Sequence, residues 1–211
     1  MPTGEASSDD VPSPIDLRED ADAHDWAAEA DRKRPWRVGL REEIARLVHT
    51  TLEGPGRVLE LGAGPGLLAK SVLSSCTLES YTLLDFSAPM LAMSRERLRE
   101  HPNAFFVQAD FKDPDWPRFV RAPFEVVVAM QSVHELRHKR HLPQLYSCIL
   151  PLLRTGGVFI VCDHEPPDAS ARCTALFATE PEQHVALTAA GFRRVHTRST
   201  QNGLYLCAGT R

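Results

Sequence analysis

Short apolar runs alternate with longer amphipathic stretches along most of the chain. Several runs have the length and composition of strands that are buried on both faces. These runs are Arg57 to Leu61, Ser80 to Asp85, Ala104 to Gln108, Phe124 to Met130 and Val158 to Asp163. The stretches between them predict helices near Gly66 to Ser75, Pro89 to Glu100 and Leu142 to Leu153. This alternation is typical of a parallel sheet with crossover helices, a doubly wound α/β fold.

The amino-terminal part precedes this alternation. Residues 1–22 are rich in Pro, Ser and Asp, and we expect them to form a flexible tail. A helix is predicted over Ala23 to Lys33, before Pro35. Apolar residues from Leu40 to Leu52 then recur at helical spacing, and Gly54 follows them. These stretches predict a helical cap, at about residues 23–40, on a single domain that spans residues 23–211.

The carboxyl-terminal part predicts a change in strand direction. After a helix near Pro181 to Ala190, the dipeptide Asn202-Gly203 separates two strand-like runs. Asn-Gly in that setting is a strong hairpin signal. We therefore expect a Rossmann-like, mostly parallel seven-stranded sheet with a C-terminal antiparallel hairpin.

Composition excludes some classes of function. The chain has 24 basic and 28 acidic residues and a net charge of -4, so no nucleic-acid partner is expected. No apolar run reaches the length of a membrane span, and the first residues do not resemble a secretory signal. The five cysteines are scattered without a C-x-x-C pair, as is typical of reduced thiols. These features predict a cytoplasmic protein without a membrane partner, and the sequence gives no indication of oligomeric state.

The stretch "RVLELGAGPGLL" is the strongest indication of a ligand site. A predicted strand leads directly into Gly62, Gly64 and Gly66, so a ligand can approach the backbone at a helix start. The dinucleotide fingerprint needs a small residue where Leu67 stands, which disfavours an NAD enzyme. Glu60 at the strand end suits a ligand that carries an amino group.

Two further acids end the next two predicted strands. Asp85 stands about twenty residues beyond the loop, where a carboxylate can accept hydrogen bonds from both ribose hydroxyls. Asp110 can accept from an exocyclic amine, and its neighbour Phe111 can stack on adenine. Each acid alone is equally explained as a solvated loop carboxylate or a helix cap, but three at successive strand ends indicate a nucleoside site.

With these motifs the sequence resembles the class I S-adenosylmethionine-dependent methyltransferases. The matching stretches are "VLELGAGPG", "LLDFSAPML", "QADF", "FEVVVAMQSVHEL" and "LLRTGGVFIV". The resemblance implies S-adenosyl-L-methionine as cofactor and in-line methyl transfer to an acceptor. It implies cofactor-binding roles for Glu60, Gly62, Ala63, Gly64, Gly66, Asp85, Phe86, Asp110, Phe111, Met130 and Gln131.

The stretch "SVHELRHKRH" contains a competing motif. His134, Glu135 and His138 spell H-E-x-x-H, which on a helix places two zinc ligands on one face and predicts a metal-dependent hydrolase. In the methyltransferase interpretation, His134 lies beside the cofactor and is the candidate general base, with no metal assigned. A metal held by His134, His138, Asp163 and His164 stays open, as does a protein that binds the cofactor without turnover.

The acceptor is expected above the carboxyl edge of the sheet. The amino-terminal segment and the segment after the fifth strand can cover that space. Trp26, Trp36, Arg34 and Arg37 form a candidate aromatic and cationic wall, although core packing and surface charge explain such residues equally well. Because the chain has no recognisable further domain, we expect a small-molecule methyl acceptor with an O or N nucleophile.

Overall fold

A central sheet with helices on both faces carries the fold. The computed structural model describes residues 9–211. Its strands are β1 (Gly56–Leu61), β2 (Leu78–Asp85), β3 (Ala104–Gln108), β4 (Phe124–Met130), β5 (Leu153–His164), β6 (Arg193–Gln201) and β7 (Leu204–Thr210). Its α-helices are α1 (Asp20–Lys33), α2 (Arg37–Thr51), α3 (Leu67–Ser75), α4 (Ala88–Arg97), α5 (Leu142–Ile149), α6 (Ala171–Leu176) and α7 (Glu180–Ala189).

The sheet has seven strands in the order β3-β2-β1-β4-β5-β7-β6. Strands β1 to β5 pair in parallel, while β7 runs antiparallel to both β5 and β6. The predicted doubly wound sheet with a C-terminal hairpin is confirmed. Strand order reverses between β1 and β4, and in such sheets ligands bind in the crevice beyond the carboxyl ends of the strands at this point.

Alternate residues of the central strands fill two separate cores, as the period of two in a strand requires. Leu59 and Val127 point to the face that α5 and α7 cover, whereas Val58 and Val128 point to the face that α2 and α3 cover. All four side chains are fully buried, which explains why these strands read as continuous apolar runs. Among the described residues, no helix is both long enough and apolar enough to cross a membrane.

Some boundaries differ from the sequence prediction. Helix α5 ends at Ile149 rather than near Leu153, and a single 3-10 turn over Leu150–Leu152 follows it. Pro151 lies in this turn and has no backbone N–H to continue the α-helical ladder. Strand β5 consequently begins at Leu153. The short helix α6 was not predicted; Ser170 caps it by accepting a hydrogen bond from the backbone N–H of Cys173.

Residues 9–19, which belong to the predicted tail over residues 1–22, pack against the body, and residues 20–22 begin α1. Val11 is buried and its backbone N–H donates to the carbonyl of Arg137. Arg137 returns two hydrogen bonds from its guanidinium, to the carbonyls of Val11 and Pro12. These partners lie far away in sequence, so composition gave no indication of them. Residues 1–8 of the predicted tail lie outside the described residues. We call residues 9–19 the strap.

Candidate functional site

The carboxyl ends of β1 to β5 open into one large cavity of about 2200 Å³. Most of the residues predicted to bind the cofactor line it. They are Glu60, Gly62, Ala63, Gly64, Asp85, Phe86, Asp110, Phe111, Met130 and Gln131. His134 also lines this cavity, whereas Gly66 does not. The structure therefore brings the predicted residues of four separate strand ends to one space, with the exception of one glycine.

The three glycines of the β1–α3 loop have different structural tasks. All have positive φ, between 54° and 75°, which is costly for residues with a Cβ. A Cβ on Gly62 would lie 2.4 Å from the Cβ of Ser132, and one on Gly66 would lie 3.0 Å from the Oγ of Ser94. A Cβ on Gly64 would meet nothing within 4 Å. Gly62 and Gly66 thus allow close packing, while Gly64 leaves open space where a ligand can lie against the backbone.

Glu60 is a buried carboxyl group at the end of β1. Its side chain accepts a hydrogen bond of 2.8 Å from the hydroxyl of Tyr81, and the residue is 2% exposed. Burial raises the pKa of Glu60 to about 8, and the hydrogen bond from Tyr81 opposes this only in part. A buried carboxyl with a raised pKa becomes fully ionised when a cationic group binds beside it, as expected for a ligand ammonium.

Asp85 connects the end of β2 to the glycine loop. Its Oδ2 accepts from the backbone N–H of Gly64 at 2.7 Å, and its Oδ1 accepts from that of Ser87 at 2.9 Å. Burial raises the pKa of Asp85 to about 6, although these two hydrogen bonds oppose the shift. Asp85 therefore fixes the loop, and each oxygen keeps a further lone pair for a ligand hydroxyl.

The strap covers the part of the cavity that was predicted to bind adenine. The Nη2 of Arg18 donates to the Oδ2 of Asp110 at 3.4 Å, and its guanidinium carbon lies 4.7 Å from the centroid of the Phe86 ring. The Oγ of Ser87 donates to the carbonyl of Leu17. Phe111 is only 7% exposed and packs in the hydrophobic core, so little of its ring faces the cavity.

Gln131 links three parts of the site just beyond β4. Its φ of 53° turns the chain sharply, and its backbone N–H donates to the carbonyl of Cys162 at 2.7 Å. Its Oε1 accepts from the Nε of Arg37 at 2.6 Å, while its Nε2 lies 2.9 Å from the Nε2 of His164. The amide therefore holds Arg37 over the ends of β4 and β5.

His134 forms a close pair with Asp163 at the end of β5. The Oδ1 of Asp163 accepts from the Nδ1 of His134 at 2.7 Å, and its Oδ2 accepts from the backbone N–H of His134 at 3.0 Å. The other ring nitrogen of His134 lies 3.4 Å from a carboxylate oxygen of Glu135. Burial by itself lowers the pKa of His134, but the charges of Asp163 and Glu135 outweigh it and raise this pKa to about 10.

The H-E-x-x-H motif does not form a helical zinc face. Val133–Leu136 is one 3-10 turn, and Arg137 after it has a φ of 67°, which ends any helix. His138 follows with extended backbone and accepts a hydrogen bond from the backbone N–H of Arg140. Because His134 and His138 do not share a helix, the arrangement expected for a zinc hydrolase is absent.

A different group of side chains lies at a spacing compatible with a metal. One ligand atom each from His134, Asp163 and His164 lie within 4.8 Å of one another. One ring nitrogen of each histidine and the carboxylate of Asp163 are already hydrogen-bonded, since Asp163 binds His134 and His164 faces Gln131. Burial, together with the charges of His134 and nearby arginines, lowers the pKa of His164 to about 4 despite the attraction of Asp163. The surroundings therefore favour a neutral His164 and oppose an added dication.

Sequence reasoning missed several residues of the site. Tyr81 precedes Asp85 in β2, and no local pattern marked its hydrogen bond to Glu60. Arg18 lies in the predicted tail, so its contacts at Asp110 and Phe86 were unexpected. Arg37 and Arg41 are not surface charges, because they are only 6% and 7% exposed.

Comparison with known proteins finds similarity to methyltransferases. Residues 58–157 match the family described as "Methyltransferase domain". A trans-aconitate 2-methyltransferase of Paracidovorax citrulli is 32% identical over 146 residues, which cover 65% of this chain and 50% of the relative. A malonyl-[acyl-carrier protein] O-methyltransferase of Magnetococcus marinus is 32% identical over 121 residues, covering 56% and 42%. The chain thus spans half or less of the length of these curated relatives, and 5% of a reducing polyketide synthase of Preussia isomera.

Solved structures share the fold at low sequence identity. The S-adenosylmethionine-bound structure of CalS10, an amino pentose methyltransferase from Micromonospora echinaspora, superposes with a TM-score of 0.70 at 16% identity. The alignment covers 88% of this chain and 95% of that one. The N-methyltransferase NodS from Bradyrhizobium japonicum gives a TM-score of 0.67 at 13% identity and covers 84% and 97%. At these identities the similarity supports the fold and does not identify the methyl acceptor of this chain.

Proposed function

We propose that the chain is a class I S-adenosylmethionine-dependent methyltransferase, as its similarity to methyltransferases supports, and that it methylates an O or N nucleophile of a small molecule. The observation that carries the proposal is the convergence of Glu60, Asp85 and Asp110 around the open backbone of Gly64 in one cavity. Acids at the ends of three neighbouring parallel strands match the polar groups of an adenosyl amino acid.

The residues fit S-adenosyl-L-methionine in chemistry and in space. Glu60 suits the ammonium group, Asp85 the ribose hydroxyls, and Asp110 the adenine amine, with Phe86 and Phe111 beside it. The space next to Gly64 is open, as close approach of a ligand to the backbone requires. Met130 and Gln131 are proposed to flank the amino acid and the sulfonium. When bound, the cofactor supplies a methyl group that a nucleophile can displace in line.

His134 is the proposed catalytic residue. Asp163 fixes the ring orientation and stabilises its charged form. A hydroxyl or amine acceptor needs His134 in the neutral form to take its proton, which alkaline pH favours because the pKa is raised to about 10. A carboxylate acceptor is already ionised, and the charged form of His134 then stabilises it. The names of the trans-aconitate and malonyl-carrier relatives support an oxygen nucleophile of this second kind.

We test the cofactor site by titrating S-adenosylhomocysteine into chelator-treated protein by calorimetry. One-to-one binding in the micromolar range, about -8 kcal/mol, is expected without metal. Asp85→Asn should weaken it, while Glu96→Gln, at an exposed acid that does not line the cavity, should not. Absence of binding to the wild-type protein would overturn the proposal. Binding with no methylated product from any acceptor would indicate a cofactor-binding protein without turnover.

A separate observation supports a proposal for the compartment. All five cysteines are unpaired in the structure. We propose that the protein works in the reducing environment of the cytoplasm, where thiols persist.

A further inference from the structure

Arg37 is a buried cation at the wall of the cavity. It is 6% exposed, its Nε donates to the Oε1 of Gln131 at 2.6 Å, and its guanidinium carbon lies 5.4 Å from the ring centroid of Trp26. Within residues 9–211, neither terminal nitrogen makes a hydrogen bond or an ion pair with the protein. Arg37 lines the cavity, and these nitrogens are not sealed off from it. The two terminal nitrogens of the guanidinium are therefore available to a ligand.

Arg41, one helical turn further along α2, shows the usual solution for a buried guanidinium. Its two terminal nitrogens bind both carboxylate oxygens of Asp31, at 2.9 and 2.6 Å. Arg37 has no such carboxylate, because Asp31 is already engaged in this pair. Burial, and next the charge of Arg34, lowers the pKa of Arg37 to about 10, so it stays charged at neutral pH. An unpaired buried charge is costly, and a bound anion would remove that cost.

The two halves of the cavity differ in charge. The half over β1, β2 and β3 contains the acids Glu60, Asp85 and Asp110. The half over β4 and β5 contains Arg37 and the acid Glu135, which pairs with Arg137. Arg34, Arg172 and Glu165 also line the cavity. The positive charge of this second half is a local feature, since the whole chain has a net charge of -4. Opposite charge is what discriminates ligands at such short range.

The cationic half also contains an aromatic cluster, which we define as His134, His164 and Phe177. Their ring centroids lie 5.3 to 5.5 Å apart. Gln131 connects this cluster to Arg37 through its hydrogen bond with His164. A planar acid placed between the cluster and the guanidinium would meet aromatic rings on one side and N–H donors of the guanidinium on the other.

We propose that the methyl acceptor carries a carboxylate and that Arg37 binds it through the two terminal nitrogens. This inference rests on the proposed function, because it assigns the acidic half of the cavity to the cofactor. The guanidinium matches a carboxylate in shape and can bind both oxygens at once. Gln131 and Trp26 act as positioning residues that hold the guanidinium in place.

The test measures binding of carboxylates to the protein saturated with S-adenosylhomocysteine. Acetate, malonate and benzoate are compared with their uncharged amides by thermal shift and calorimetry at constant ionic strength. At least one acid is expected to bind the wild-type protein, and its amide at least tenfold more weakly. Arg37→Gln should abolish that preference, and Arg37→Lys should weaken it, because the charge stays but the fork is lost. Arg32→Gln, an exposed arginine that pairs with Glu29, is the matched control and should bind as the wild type does.

The cofactor also has a carboxylate. A second set of titrations therefore tests whether Arg37 binds the carboxylate of the cofactor or that of the acceptor. S-adenosylhomocysteine and 5′-methylthioadenosine, which lacks the amino acid, are titrated into the wild-type protein and both Arg37 variants. The proposal expects the variants to bind both nucleosides within about threefold of the wild type. Weaker binding of S-adenosylhomocysteine alone would show that Arg37 serves the cofactor, and the proposal would be overturned. Equal binding of acids and amides to the wild type, or no binding of either, would also overturn it.

The same titrations distinguish failure of this inference from failure of the proposed function. If neither nucleoside binds the wild-type protein, the cofactor assignment itself is wrong. Binding of 5′-methylthioadenosine by each variant also shows that the variant is folded, so a lost acid preference cannot be attributed to unfolding.

Discussion

Asp163 accepts two hydrogen bonds from His134, one from the ring Nδ1 at 2.7 Å and one from the backbone N–H at 3.0 Å. The pair joins the chain after β4 to the end of β5 and fixes the imidazole at the cavity wall. Asp163 is 2% exposed, so its charge is compensated almost entirely by this histidine and by the backbone N–H of His164. The pair therefore affects stability and chemistry together.

Asp163→Asn should lower the free energy of unfolding at pH 6 by about 3 kcal/mol, because removing one member of a buried ion pair leaves the other uncompensated. The raised pKa of His134 contributes stability that is complete below its unfolded value, about 6.5, and is lost as pH rises towards 10. The lowered pKa of Asp163 contributes stability above about 3.9 that is lost in acid. Urea unfolding of both proteins should show the difference shrinking from pH 6 to pH 10. A difference independent of pH would contradict the charged pair.

His134→Gln should change the pH dependence of methyl transfer, and not only its size. For a hydroxyl or amine acceptor, kcat/KM of the wild type should rise with pH towards about 10, since the neutral ring is the base. The variant should lose this rise and about 100-fold or more of the rate. For a carboxylate acceptor, the wild-type rate should stay level across neutral pH. His138→Gln is the control, and an equal loss there would argue against a specific role for His134.

Glu60→Gln should stabilise the protein without ligand and weaken cofactor binding. Between pH 4.5 and about 8 the folded protein holds a proton at Glu60 that the unfolded chain releases, so stability falls as pH rises through this window. Glutamine cannot ionise and still accepts from Tyr81, so the variant should gain on the order of 1 kcal/mol at pH 8. S-adenosylhomocysteine should bind it at least about tenfold more weakly. The exposed Glu79→Gln should change neither quantity.

Alanine at two loop glycines should separate packing from ligand binding. Gly62→Ala places a Cβ 2.4 Å from the Cβ of Ser132, so we expect a loss of about 2–3 kcal/mol of stability. Gly64→Ala meets no atom within 4 Å and should cost only about 1 kcal/mol for its positive φ. The Gly64 variant should nevertheless lose most of its affinity for S-adenosylhomocysteine. If it binds as the wild type does, the ligand does not approach this backbone.

Arg137→Gln should release the strap from the body. The guanidinium of Arg137 donates to the carbonyls of Val11 and Pro12 from a buried position, and the variant removes both hydrogen bonds. Hydrogen exchange of residues 9–19 should become faster in the variant, by about tenfold for the loss of a charge-assisted hydrogen bond. Exchange in β1 should not change. Arg118→Gln, an exposed arginine paired with Asp115, is the control. Unchanged exchange in the strap would show that other contacts hold it.

Local signals explain why the sheet and much of the site were predictable. Strand and helix periods, the glycines after β1 and acids at strand ends are each visible within about twelve residues of sequence. The hairpin at Asn202-Gly203 is equally local. The roles of individual cofactor residues stay predictions, since placement at the cavity wall does not show what they bind.

The sequence by itself determined the fold class, the position of the glycine loop and the set of acids that the sheet would bring together. Only the tertiary structure decided the partners of the charged residues. Arg37 donates a hydrogen bond to Gln131, which is 94 positions away in sequence, and Arg137 donates one to Val11, which is 126 positions away. A lone arginine in a sequence is indistinguishable from surface charge, because exposure is the common state for this residue. Burial and partner choice arise only when the sheet and helices close around the side chain, and no local pattern encodes that closure.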